Sequence, residues 1–383
     1  MTGRVVGLFA GVGGIEKGLQ EAGFEGVHLN EIDDKARAVL ARQFPEADLS
    51  EDVRAVGSLP EADVLSAGFP CTDISQAGRK VGIRGAQSGL VDEIFKLVSL
   101  AQRKPAYIVM ENVSYLLNLG RGAGMRHVLD GLEALGYRWA YRVVDARAFG
   151  LPQRRQRVVF VASLNDDPRN VLFADDAPDA EYVDNIGPVD ESVLYGFYWT
   201  EGLRGLGWAR DAVPTIKGGS GLGIPSPPAI WDPGTGEVGT LHIEDAERLQ
   251  GFPAGWTIPD QEEPPKDGVR WRQIGNAVCV PMTAWIGSRL NSPGDVVAGD
   301  WDQEWNGGTW PSAAFGQGGK VYRAPVSRSP FRNDYSLRSS LMHPLKPLSY
   351  RATTGFLSRA RRSKLRFSDG FLPALDEHVL RFN

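Results

Sequence analysis

VVGLFAGVGGIEKGLQEAG, residues 5–23, carries the decision about the fold. Val5–Phe9 is an apolar run opened by two β-branched residues, which suits a strand buried on both faces. Glycines follow at 11, 13 and 14, and GGIEKGLQEAG (13–23) has helical spacing and ends on glycine. A buried strand that turns through glycines into a helix opens a βαβ unit.

The alternation continues outward from this stretch. VHLNEI (27–32), ADVLSAGF (62–69), YIVMENV (107–113), YRWAYRVVDA (137–146) and RVVFVASL (157–164) read as further strands. DKARAVLARQF (34–44), VDEIFKLVSLAQ (91–102) and MRHVLDGLEAL (125–135) read as helices between them. Such alternation predicts an α/β fold with a mostly parallel sheet. From 165 to 240 the pattern breaks into Asp-, Pro- and Gly-rich sequence with isolated Trp199, Trp208 and Trp231, and predicts an irregular second domain. Helical spacing returns at 242–250 and 277–290, and Asn291-Ser-Pro-Gly-Asp reads as a linker.

Bulk properties narrow the function. A chain of 383 residues suggests two or three domains. No apolar run reaches the roughly 18 residues of a membrane helix, and the N-terminus lacks a signal-peptide layout. Two cysteines, Cys71 and Cys279, exclude a disulfide framework, no Cys/His spacing resembles a zinc site, and a reducing cytoplasm is expected. The net charge of −5 is unevenly spread: Lys320–Arg366 holds twelve Lys/Arg against the single acid Asp334. Residues 367–383 carry −2, which leaves −14 on the first 319. A basic block on an acidic chain points to a polyanion partner, or to a solvated tail.

In an open α/β sheet, ligands bind beyond the carboxyl ends of the strands. The reactive residues gather at those ends. Phe9, Gly11, Gly13 and Gly14 follow the first strand, where glycines allow close approach of a ligand to a helix N-terminus. Glu31, in NEID (30–33), ends the second and is placed for a ribose, or for a helix cap. Asp52 is placed for an adenine edge, or is a turn residue. Gly68-Phe69-Pro70-Cys71 ends the next strand: a lone cysteine is usually an inert core thiol, but proline has stopped the strand here and polar residues follow. Glu111 and Asn112 end YIVMENV, and Gln153-Arg-Arg-Gln-Arg157 opens the last strand, where alternation predicts Arg155 and Arg157 on one face. Arg204, Arg210 and Lys217, beside KGGSGLG (217–223), are candidates to meet a nucleic acid; the run lacks the GKS/GKT of an NTP-binding loop.

Together these strings resemble the cytosine-5 DNA methyltransferase family over about residues 4–165 and 240–290. FAGVGG (9–14), NEID, the Asp52 turn, GFPC (68–71), ENV (111–113), QRRQR (153–157), RLQGFP (248–253) and QIGNAVCVP (273–281) occur in the family's order. The resemblance implies a Rossmann-like S-adenosylmethionine-dependent methyltransferase sheet over 1–164, completed by 271–290. It implies a smaller target-recognition domain at 165–270, and leaves 291–383 as a basic C-terminal extension expected to contact DNA. S-adenosylmethionine is the implied cofactor, lined by Phe9, Gly11, Gly13, Gly14, Glu31, Ile32, Asp52, Pro70, Leu90 and Asn276. Cys71, Glu111, Arg155 and Arg157 are the implied catalytic residues. Ser75, Arg79, Lys80, Arg84 and Gln153 are the implied DNA contacts. Double-stranded DNA is the implied partner, with no metal and no membrane, for a monomer in the cytoplasm of a bacterial or phage-infected cell. Two residues depart from the family pattern: Gly7 stands where an acid is frequent, and Thr72 where Gln is usual. The alternatives are a tRNA cytosine methyltransferase, a non-catalytic DNA-binding relic, and a Rossmann oxidoreductase, which the glycine spacing disfavours.

Overall fold

A computed structural model describes residues 3–70, 89–178, 188–203, 207–219, 225–260 and 265–382. The chain divides into two compact units. The first comprises 1–148, 156–179 and 278–332; the second comprises 149–155, 180–277 and 333–383.

Among the described residues the first unit has nine strands: β1 (Arg4–Leu8), β2 (Glu25–Asn30), β3 (Asp48–Ser50), β4 (Val64–Ala67), β5 (Tyr107–Val113), β6 (Arg138–Asp145), β7 (Gln156–Ser163), β8 (Ala313–Gln317) and β9 (Lys320–Arg323). They form one sheet in the order β9-β8-β6-β7-β5-β4-β1-β2-β3. β3, β2, β1, β4 and β5 pair in parallel. β7 then runs antiparallel between β5 and β6. The central parallel strands are the most buried: all four residues of β4 are buried, and so are all of β1 after Arg4. The chain leaves β1 for β2 on one side and later enters β4 on the other. The carboxyl ends of β1 and β4 therefore flank the switch point where such sheets bind ligands.

The sequence boundaries at 164, 270 and 290 do not coincide with the edges of these units. Residues 165–178 belong to the first because the guanidinium of Arg142, fully buried on β6, holds them. It donates to the Leu172 carbonyl at 2.9 Å and to Asp176 at 2.6 Å, and its Nε reaches the Ser327 carbonyl at 2.9 Å. The segment after 291 is no single extension either. Its first part adds the β8–β9 hairpin to the sheet through a Gly318-Gly319 turn with φ of 60° and 75°, the two left-handed positions a tight hairpin demands.

The remainder, 333–383, folds into the second unit. There five antiparallel strands stand in the order Trp208–Arg210, Tyr195–Phe197, Ala229–Asp232, Glu237–Thr240, Lys346–Pro347. The region expected to be irregular thus has a sheet of its own. Its inner face is aromatic and is covered by the helices Tyr350–Arg362 and Phe371–Leu380. Phe371 lies 4.5 Å from Trp208 and 5.0 Å from Phe197, and Phe356 lies 4.8 Å from Phe197, ring centre to ring centre. Each such ring removes on the order of 150–250 Å² from water, so this helix pair is core structure and not a solvated tail.

Candidate active site at the carboxyl edge of the sheet

The loop after β1 is held in an uncommon backbone. Phe9 has φ of 56°, followed by Gly11 at 58° and Gly13 at 82°. A bulky residue in the left-handed region costs of order 1 kcal/mol or more and persists where its surroundings require it. A Cβ added at Gly13 would lie 2.4 Å from the Phe44 ring, whereas one at Gly11 would meet nothing within 4 Å. The loop is therefore packed from beneath and open above.

Glu31 ties this loop to the end of β2. One carboxylate oxygen accepts from Gly11 N and the other from Asp33 N, both at 2.8 Å. Each oxygen keeps capacity for a further donor, as a ribose diol requires. Beside it Ile32 is 62% exposed, an apolar surface set next to polar groups. Asp52 caps the short turn Val53–Ala55 by accepting from Arg54 N at 2.9 Å, so its turn role is real. Pro70 and Leu90 are half-buried, and Leu90 opens the helix Leu90–Leu100. The open loop, the diol acceptor and the apolar ledge fit a nucleoside-bearing cofactor.

Glu111 and Asn112 occupy the end of β5 on opposite faces. Glu111 is 8% exposed, and its Oε1 lies 2.8 Å from Arg157 Nε. The pair forms because Arg157 stands opposite Val113 in the antiparallel ladder, one diagonal step from Glu111 on the same face. Asn112 donates to the Phe69 carbonyl at 2.8 Å and so joins the end of β5 to the segment Gly68–Pro70. A buried carboxyl held by a guanidinium has a fixed orientation toward whatever base reaches the strand end. The Cys71 that this segment leads to lies outside the described residues, as do Ser75, Arg79, Lys80, Arg84 and Arg204.

The expected register of Arg155 is not what the structure has. Arg155 is not on β7; it is the break between the short strand Gln153–Arg154 and β7, so alternation does not set its face. It belongs to the second unit and is fully buried. Its Nη1 donates to the Ile216 carbonyl at 3.1 Å, and its Nη2 to Gly275 at 3.2 Å and Ala277 at 2.5 Å. Gln153 is buried completely as well. Its amide nitrogen donates to the Leu249 carbonyl at 2.9 Å and its oxygen accepts from Ile216 N at 3.0 Å. Both ends of its amide thus have partners inside the protein.

Asn276 also lies in the second unit, at the end of the helix Asp267–Asn276, with its Oδ1 against Gly218. Lys217 pairs with Glu201 at 3.0 Å and covers the Tyr198 ring at 4.1 Å, and Arg210 pairs with Asp190. His242, Glu244 and His343 bring donor atoms within 4.8 Å of one another. The imidazoles, however, stack at 4.1 Å with planes 26° apart, which aims their lone pairs alongside each other and not at a common point. His343 is already clasped by Glu244 at 3.4 Å and Asp245 at 3.3 Å. This group reads as a tie between the segment after 333 and the helix Ile243–Arg248.

Comparison with known proteins bears on this edge of the sheet. The model of the C-5 cytosine-specific DNA methylase family matches residues 3–194 and 191–292. The type II methyltransferase M2.BsuMI of Bacillus subtilis is 48% identical over 97% of this chain and 97% of its own. That alignment includes most of the residues beyond 292, where the family model stops. The type II methyltransferase M.NlaX of Neisseria lactamica is 30% identical over 77% of this chain and 98% of its own. Among solved structures, a Dnmt2 methyltransferase of S. pombe aligns with a TM-score of 0.55 at 15% identity, over 75% of this chain and 98% of its own, a likeness of fold.

Proposed function

Since the chain belongs to the C-5 cytosine-specific DNA methylase family and is a DNA cytosine methyltransferase, we propose how its residues carry out the reaction. S-adenosylmethionine is the donor and supplies a methyl group on a sulfonium. The loop Phe9–Gly14 receives it, Glu31 accepts from the ribose hydroxyls, Ile32 and Phe9 pack on the adenine, and Asp52 accepts from the adenine amine. Pro70 and Leu90 complete the pocket.

Cytosine carbon-5 is a weak nucleophile until carbon-6 is attacked. The Cys71 thiolate adds to carbon-6 and pushes an electron pair toward carbon-5, which would take the donor's methyl group and leave the donor as a neutral thioether. Glu111 grips N3 and the exocyclic amine, stabilising the charge that develops there, and Arg157 fixes Glu111. Loss of the carbon-5 proton to a base then expels the thiol and restores the ring. The target leaves the duplex for this step, at a cost of a few kcal/mol, and Ser75, Arg79, Lys80 and Arg84 meet the DNA around the gap. Arg155 braces the second unit.

The second unit selects the target sequence, and the exposed cations Arg351, Lys364 and Arg366 bind phosphates beside it. The protein works as a monomer, without a metal, in the cytoplasm. Among the described residues no helix is long and apolar enough to cross a membrane.

The observation that carries this reading is the buried Glu111–Arg157 pair at the end of β5, with Asn112 tying that end to the segment leading to Cys71. A cognate duplex containing 5-fluorocytosine, incubated with S-adenosylmethionine, will trap a covalent complex on the wild-type enzyme and none on Cys71→Ser. Bisulfite sequencing of DNA from expressing cells supplies the cognate site; absence of an adduct there defeats the mechanism.

A further inference from the structure

Gly7, in the middle of β1, is the position where the family pattern often carries an acid. A Cβ built there would lie 2.5 Å from Oε1 of Glu16 and 2.9 Å from Leu29 Cδ2. The space an acid at 7 would take is therefore filled by a carboxyl from another element. Glu16 stands in the first turn of the helix Gly14–Glu21, directly after the glycine loop, and its side chain points inward and is 3% exposed. Ser66, fully buried on β4, donates to its Oε1 at 2.6 Å. Its Oε2 is buried with no hydrogen-bond partner.

One side chain thus joins three places: the helix that closes the glycine loop, β1 beneath it, and β4, whose end leads to Cys71. Burying a polar oxygen unpaired is costly, so it calls for an explanation. Burial, offset in part by the Ser66 hydroxyl, raises the Glu16 carboxyl to about 7, with Glu31 adding to the rise. A neutral acid is the cheaper occupant of such a site.

We propose that Glu16 is a positioning residue for the methyl donor: its carboxyl stands in for the acid absent at Gly7 and locks the glycine loop to the β4 strand that leads to the nucleophile. The inference rests on the reading of this loop as the S-adenosylmethionine site.

The test is calorimetric binding of S-adenosylmethionine to the full chain, with steady-state methyl transfer and thermal unfolding measured in parallel. Glu16→Ala weakens binding and raises the KM for the donor by about tenfold, the scale of one lost buried hydrogen bond, while kcat at saturation stays within about threefold. Glu16→Gln, which keeps the shape and an acceptor for Ser66, binds within about twofold of wild type. The relocation variant Gly7→Asp/Glu16→Ala recovers most of the affinity missing in Glu16→Ala. Ser66→Ala changes little volume and loses several-fold in binding, and it decides the matter should Glu16→Ala not fold. A lowered melting temperature with unchanged donor affinity in Ser66→Ala and Glu16→Ala overturns the proposal, as does a relocation variant no better than Glu16→Ala. Wild type that binds no S-adenosylmethionine would instead strike the reading of the loop itself, and the proposal with it.

Discussion

At the carboxyl edge of the nine-stranded sheet, Glu111 and Arg157 face each other among apolar strands, and Glu31 spans two loops with capacity to spare. In the second unit, charged groups of the same kinds are committed to the protein. Arg155 holds three carbonyls, Arg338 grips Asp232 with two bonds of 2.8 Å, Arg359 donates to the Trp199 carbonyl, and Arg361 pairs with Asp376. Two arginines only two residues apart, Arg155 and Arg157, fall on opposite sides of this divide. A guanidinium in a motif is thus no guarantee of chemistry; what it donates to decides whether it reacts or braces.

The sharpest way to break the contrast is at Glu111. Glu111→Gln keeps the shape and removes the proton carrier, so kcat should fall by about 10²–10⁴ with donor affinity unchanged. A loss under tenfold would remove Glu111 from the chemistry. Arg155→Ala should act through folding, losing about 3 kcal/mol in urea unfolding because three buried carbonyls lose their donors. Normal stability with collapsed turnover would return Arg155 to the reacting base.

A smaller effect is expected from pH. The folded-state pKa of Glu16, about 7, lies above its unfolded value of 4.5, so its contribution to stability is complete below 4.5. It is lost as pH rises through 7, at a slope of about 1 kcal/mol per pH unit. Glu16→Gln should flatten that part of the stability profile, and an unchanged profile would place the titrating group elsewhere. The smallest effect belongs to the surface: Arg351→Ala/Lys364→Ala/Arg366→Ala should leave stability within about 0.5 kcal/mol. It should lower the salt slope of DNA binding by about 0.9 for each phosphate that is no longer neutralised. An unchanged slope would separate this face from DNA.

Much of the first unit's sheet was legible beforehand because its signals are local. Tyr107–Val113 was readable to the residue, and β1, β2, β4, β6 and β7 within a few residues, since strands buried on both faces are continuous apolar runs. The second unit hid its order because its strands are mostly two to four residues long and its core partners lie over a hundred residues away. The basic helix Tyr350–Arg362 concealed an apolar stripe of Phe356, Leu357 and Ala360 under its charge. The β8–β9 hairpin did announce itself, in the Gly318-Gly319 pair between AAFGQ and KVYR, a turn signal open to reading.

The amino-acid order alone determined the family and the α/β class, because motifs and hydrophobic period are properties of neighbouring residues. Only the tertiary structure decided that Arg157 meets Glu111 while Arg155 and Gln153 are walled in. It also decided that the last fifty residues build a core, and that Glu16 fills the space Gly7 leaves. Each of these depends on which distant backbone oxygen or ring a side chain reaches once the strands have paired, and no local pattern encodes that.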